Sequence, residues 1–153
     1  MTRLPWKTGP AAPGASVFLS ATRFSYRSFL SMPAVLTHGL RLRSQWPTLE
    51  GAVGMWTAAS LYKRTTYTLT AWSSEQDLAR WIMSPYHTRL MRDFRGHLES
   101  SCVVSWTAPA DTASFEPHVA WAEGMQRLRA REGFVASRGA HLEHTRPGAQ
   151  GKP

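Results

Sequence analysis

A half-buried strand running directly into a helix-start signal and an amphipathic helix occurs twice in this chain, and that repeat limits the available folds more than any other feature. The clearer copy lies between Thr65 and Glu99. Thr66, Thr68, Thr70 and Trp72 alternate with Tyr67, Leu69 and Ala71, the two-residue period of a strand with unlike faces. Ser74 follows, with Asp77 three residues on, the spacing at which a side chain and a backbone satisfy each other's orphan groups at a helix start. Leu78, Trp81 and Ile82 share one face of the helix this predicts. Ser84-Pro85 breaks and restarts it, because proline at a first helical position loses no hydrogen bond. His87, Leu90, Met91 and Phe94 then form one inward stripe, and the helical region is expected to run from about Ser74 to Leu98.

The other copy begins at Ser16 to Phe24, where Val17, Leu19 and Ala21 alternate with Phe18, Ser20 and Thr22. A helix opens at Ser31-Met32-Pro33, carries Val35, Gly39, Leu42 and Trp46 at spacings of four, three and four, and ends at Pro47. Gly51 to Leu61 reads as a strand turning near Tyr62-Lys63-Arg64 into the strand at Thr65, and Ser101 to Thr107 reads as the last. The order is β-α-β-β-α-β. It predicts an α+β, ferredoxin-like domain over 16–107, a four-stranded antiparallel sheet with both helices on one face. Both faces of the strands carry large apolar groups, so the face away from the helices is expected to be covered by a second copy in a sheet-on-sheet homodimer. Residues 1–15, rich in Pro, Gly and Ala, read as a flexible leader. A further helix is expected over 115–132 through Trp121, Ala122, Met125 and Leu128, docked on its own domain or on a partner, and 136–153 reads as a disordered tail.

The chain of 153 residues is 42% hydrophobic, enough for one packed domain. No run approaches the roughly 18 apolar residues of a membrane span. The one cysteine, Cys102, forms no internal disulfide and fits a reducing cytoplasm, where its apolar strand makes it core filler. A formal charge of +8 raises the question of nucleic acid, but the basic residues are scattered at the spacings of solvated helix faces. The β-α-β-β-α-β order is also that of RNA-recognition domains, yet Thr65 to Trp72 has no Gly-Phe-Gly-Phe-like run. Nucleic acid is therefore not the expected partner. There is no Cys-x-x-Cys, phosphate-binding glycine loop or helical His-Glu-x-x-His, and His141-Leu142-Glu143-His144 falls in the expected tail. No metal site is expected.

The stretch from Ser20 to Trp106 resembles the antibiotic biosynthesis monooxygenase-like group of the dimeric α+β barrel superfamily. The resemblance is carried by Ser20-Ala21-Thr22-Arg23-Phe24, by Leu69-Thr70-Ala71-Trp72-Ser73-Ser74-Glu75, by Ser84-Pro85-Tyr86-His87 with Met91, and by Val103-Val104-Ser105-Trp106. It implies a small monooxygenase acting without a cofactor on a planar, largely apolar molecule. The same superfamily holds haem-degrading oxygenases, isomerase-like enzymes and proteins without known catalysis, so a non-catalytic ligand-binding dimer is the rival reading. In the haem-degrading branch the axial histidine would fall where this chain has Met91. Haem on His87 is thus an alternative outside the matched motif.

The residues themselves nominate a site. His87, on the inward stripe, is placed to move a proton near neutral pH or to ligate iron, or else it is a satisfied core histidine. Arg23, at the end of the first strand, and, as the weaker candidate, Tyr67 are the groups proposed to hold a developing oxyanion, with an exposed strand-end side chain as the competing reading of Arg23. Trp72, Trp81 and Met91 are the residues nominated to wall the substrate pocket, as flat side chains do for planar ligands, although Trp72 and Trp81 equally suit plain core packing, the commoner role. His38, on the flank of the first helix, reads as an exposed side chain, with a place at the pocket mouth as the lesser alternative.

Overall fold

The structure, a computed structural model, describes residues 1–109 and 116–144, the last nine of these as backbone only. Its elements are β1 (Thr2–Arg3), β2 (Lys7–Thr8), β3 (Ser16–Tyr26), α1 (Met32–Gln45), β4 (Ala52–Ser60), β5 (Thr65–Trp72), α2 (Glu75–Ile82), α3 (Pro85–Phe94), β6 (Leu98–Pro109) and α4 (Pro117–His144). The strands form one antiparallel sheet in the order β1-β4-β5-β3-β6, with β2 also paired to β4. The four long strands and the helices between them reproduce the β-α-β-β-α-β order. The chain is α+β and ferredoxin-like. The helix starts follow the local chemistry: Ser74 accepts from the Asp77 N–H at 3.2 Å, and Ser84 accepts from the His87 N–H at 3.2 Å with Pro85 next to it. The second helical region ends at Phe94, and Leu98, expected at its end, instead opens β6.

Register sorts the side chains between the two faces. Phe18 pairs with Trp72, Ser20 with Thr70, Thr22 with Thr68 and Phe24 with Thr66, all on one face. There Trp46, Met55, Trp72 and Leu78 pack together at one end, and Tyr26, Met32 and Val35 at the other. These clusters bring α1, α2 and α3 to the same side of the sheet, as the connections require. Leu19 with Ala71 and Ala21 with Leu69 point to the opposite face.

That opposite face is not open. α4 lies across it, and Ala120, Trp121 and Leu128 join Val17, Leu19, Ala21, Trp56, Leu69 and Trp106 in the largest core cluster. Gly124 makes the approach close: a Cβ there would lie 3.1 Å from both Ala21 Cβ and the Trp106 ring. The Trp106 indole N–H donates to Glu123 at 3.1 Å, Arg127 donates twice to the other oxygen of Glu123, and Arg23 is ion-paired with Glu132. The apolar face inferred from the strands exists, but the chain covers it with its own helix, so the reason given for a sheet-on-sheet dimer does not hold.

Two further expectations are corrected. The leader is not loose, because β1 and β2 add to the edge of β4. Trp6 packs edge-on against Trp56 at 5.5 Å, over Gly54, where a Cβ would collide with its ring. Arg3 stacks 4.3 Å above the Trp56 ring. The large aromatic group in an otherwise Pro- and Gly-rich segment is what anchors it. The last helix also runs past Glu132 to His144, so its backbone enters the segment expected to be disordered; residues 145–153 lie outside the described residues.

Candidate functional site

Between α1, α3 and the sheet lies a cavity of about 620 Å³. Its walls come from the inward faces of the two helices: Val35, Leu36, Gly39 and Leu42 on α1, and Leu90, Met91 and Phe94 on α3. Its floor is the sheet, where Phe24 and Tyr26 of β3, Thr57 of β4 and Thr66 and Thr68 of β5 line up by register, Thr57 opposite Thr68 and Phe24 opposite Thr66. Strand alternation puts each hydroxyl on this face, and register brings them together on the floor. The result is an apolar chamber with a few convergent polar groups, the usual composition of a small-molecule site.

Those groups differ in what they are free to do. The Tyr26 hydroxyl lies 3.0 Å from the Thr66 hydroxyl. Burial raises its pKa, with the Thr66 hydrogen bond opposing the shift, so the phenol stays protonated at neutral pH. Among the described residues the buried Thr57 hydroxyl finds no hydrogen-bond partner. His38 lies on the α1 wall with its ring edge-on to Phe94, centroids 4.9 Å apart. Leu36 and Leu40 on α1 and Leu61 and Tyr62 in the β4–β5 turn are exposed and line the cavity, which makes its mouth apolar.

The sequence-nominated residues separate into three places. Met91 lines the cavity, as does Tyr67. Trp72 and Trp81 are stacked at 6.4 Å at the far end of the helical face, with Trp46 edge-on to Trp72 at 5.1 Å. Neither is among the cavity's lining residues. His87 stays with them: its ring is 5.3 Å from that of Trp81, and Nδ1 lies 3.0 Å from the Ile82 carbonyl. A carbonyl only accepts, so Nδ1 carries the proton. Burial lowers the His87 pKa, the carbonyl contact only partly opposing it, and the ring is neutral at pH 7. Its stripe neighbours Leu90, Met91 and Phe94 reach the chamber, but one turn earlier the helix has already moved past it.

Arg23 lies on the opposite sheet face, in register with Tyr67 on β5 and Cys102 on β6, and is held by Glu132 of α4. Burial and nearby Glu132 raise the Cys102 pKa, so it is a protonated thiol. Beside Arg23 is a second, smaller recess that Tyr67 also lines. The polar floor of the main cavity was missed in the sequence, although Thr66 and Thr68 share the parity of Trp72. Tyr26 falls two residues past the expected strand end, and Thr57 joins the group only through register. Among the described residues, no group of three or more His, Cys, Asp or Glu side chains is arranged to hold a metal ion, and no helix is long and apolar enough to cross a membrane.

No family model matches the chain, and no curated protein matches it. The likeness is to solved structures. A dimeric ferredoxin-like protein of unknown function from Thermobifida fusca YX aligns with a TM-score of 0.53 at 10% identity, over 63% of this chain and 94% of that one. An antibiotic biosynthesis monooxygenase aligns with a TM-score of 0.54 at 13% identity, over 61% of this chain and 99% of that one. A protein from Lactobacillus acidophilus NCFM aligns at 0.51 and 9% identity over 64% of this chain, which spans only 49% of that protein. Identities this low speak for the architecture alone. The chain has the fold of the antibiotic biosynthesis monooxygenase and of the dimeric ferredoxin-like proteins.

Proposed function

We propose that this chain is a small oxygenase whose substrate is a planar, largely apolar molecule held in the cavity between α1, α3 and the sheet. The observation that carries the reading is the chamber: about 620 Å³, apolar walls, and a floor of hydroxyls with one imidazole on the wall. That volume lies within the ~300–1,000 Å³ typical of small-molecule sites. Its position in a fold shared with an antibiotic biosynthesis monooxygenase supports the choice of reaction.

His38, not His87, is the base in this reading, because it faces the chamber. It takes a proton from an activated C–H of an electron-rich ring, and the resulting carbanion is oxidised by dioxygen, which forms a C–O bond and leaves a hydroperoxide. Loss of the second proton from that carbon breaks the O–O bond, so a CH2 group becomes a carbonyl and the other oxygen leaves as water. The protonated Tyr26 phenol and the Thr57 hydroxyl supply hydrogen bonds to the oxygen that bears charge. Met91, Phe94 and Leu90 hold the ring against water. Neither Arg23 nor His87 has a part in these steps. Haem is given none either: His87, the imidazole offered to it by the sequence, commits Nδ1 to the Ile82 carbonyl and is not among the cavity's lining residues. The reading includes a homodimer, supported by a dimeric neighbour of the same fold. With the sheet face taken by α4, the outer edge of β6 is the surface assigned to the second copy.

Anthrone is a suitable first substrate, with dioxygen uptake as the readout. Gly39→Phe should abolish both binding and uptake, since a Cβ at Gly39 meets nothing within 4 Å and a larger side chain can fill the chamber. His38→Gln should keep binding and lower kcat by about 100-fold or more, the usual contribution of a positioned base. Hemin titration should give no saturable Soret band. Tricyclic ligands that fail to bind, or binding untouched by Gly39→Phe, would remove the cavity from consideration.

A further inference from the structure

The recess beside Arg23 is not independent of the chamber. It measures about 300 Å³ and opens on the α4 side of the sheet, yet Met1, Ser60 and Tyr67 line both spaces. Tyr67 pairs with Arg23 on one side and Ala58 on the other, so the sheet separates the two spaces there, and both reach the β4–β5 end of the sheet at Met1 and Ser60. Their chemistry is opposite. The chamber walls are aliphatic and aromatic, whereas the recess presents Arg23, Lys63 and Arg129 against a single carboxylate, Glu132. Glu132 is already engaged by Arg23. Among the described residues Lys63 and Arg129 make no ion pair, and they come from separate elements, the β4–β5 turn and α4. Three cations and one anion converging on a small space favour a negatively charged guest.

We infer that the ligand of this chain is an amphipathic anion, an apolar body lodged in the chamber and a single acidic group reaching round the β4–β5 end of the sheet, by Met1 and Ser60, into the Arg23–Lys63–Arg129 recess. This rests on the proposed use of the chamber and adds the acid to the substrate class.

The test uses two probes with one carbon skeleton, N-phenyl-1-naphthylamine, which is neutral, and 8-anilino-1-naphthalenesulfonate, which adds one acidic group. Fluorescence titration of the full chain should show both binding, with the anion tighter by about tenfold, the lower end for charge-assisted hydrogen bonds at a partly exposed site. The double variant Lys63→Gln, Arg129→Gln should remove that preference and leave the neutral probe's affinity unchanged. Arg89→Gln with Arg92→Gln, the same loss of charge on the exposed face of α3, should keep it. Equal affinities for the two probes, or a preference lost equally in the α3 variant, would overturn the inference and leave the chamber standing. If the neutral probe does not bind, the proposed function falls first.

Discussion

Ser74, Asp77 and His87 show how single residues near the helix starts set the ionisation of this protein. Hydrogen bonds from Ser73 and Ser74 hold the Asp77 carboxyl below its ordinary range against the opposing effect of burial, with a smaller contribution from Arg80. His87 is shifted the other way with respect to charge: burial favours its neutral form, and the Ile82 carbonyl fixes which nitrogen keeps the proton. A histidine whose pKa is lower in the folded than in the unfolded chain stabilises the fold fully above the unfolded value of about 6.5, and that contribution fades as pH falls through the folded value. The Tm deficit of His87→Gln relative to the parent should therefore be largest near pH ~7.5 and shrink toward pH ~5. Comparing the two proteins cancels the titration of Asp77 and the other carboxyls. A deficit that grows on acidification would mean the imidazole is charged in the fold.

At the scale of elements, α4 is the unusual part. Like most helices in folded proteins it is stabilised largely by packing, here of Ala120, Trp121 and Leu128 on the sheet face it covers. The close approach at Gly124 fixes how deeply it sits, with Ala21 and Trp106 beneath. Gly124→Leu would push the helix away from the sheet, against both the packing of Trp121 and Leu128 and the Trp106–Glu123 hydrogen bond. We expect a loss of about 1–3 kcal/mol in urea unfolding, the usual cost of overpacking, even though leucine is the better helix former. A gain in stability would show that α4 is held from its ends and not along this face.

For the whole molecule, α4 changes the problem of association. A ferredoxin-like sheet with one bare apolar face would need a partner, and this one does not. Among the described residues the outer edge of β6, twelve residues long and ending the strand order, pairs with no further strand, and its Val103 is 46% exposed. Long unprotected edges are templates for pairing with another chain. Light scattering at micromolar concentration should give about twice the 17.1 kDa chain mass, and Val103→Lys should shift the population toward one chain length. A monomer at all concentrations would mean that α4 has replaced the partner altogether.

Strand alternation, helix periodicity and the serine caps are local properties, and from them the element order and the ferredoxin-like class could be read directly, as could the inward stripe of Leu90, Met91 and Phe94. The docking of the last helix was legible only as an amphipathic pattern without a destination. Which face it covers depends on Gly124 meeting Ala21 and Trp106, residues up to 103 positions away in sequence. The chamber shows the same division. Its walls follow from helical spacing, but its floor requires the register that brings Thr57 opposite Thr68 and Tyr26 beside Thr66. His87 and His38 show why the nominated site moved. Both lie on helix faces of similar pattern, and only the packing of α1 and α3 across the sheet puts one imidazole at the chamber wall and leaves the other against Trp81. Periodicity gives the direction of a side chain from its own axis, whereas what it meets is decided by where the axes cross.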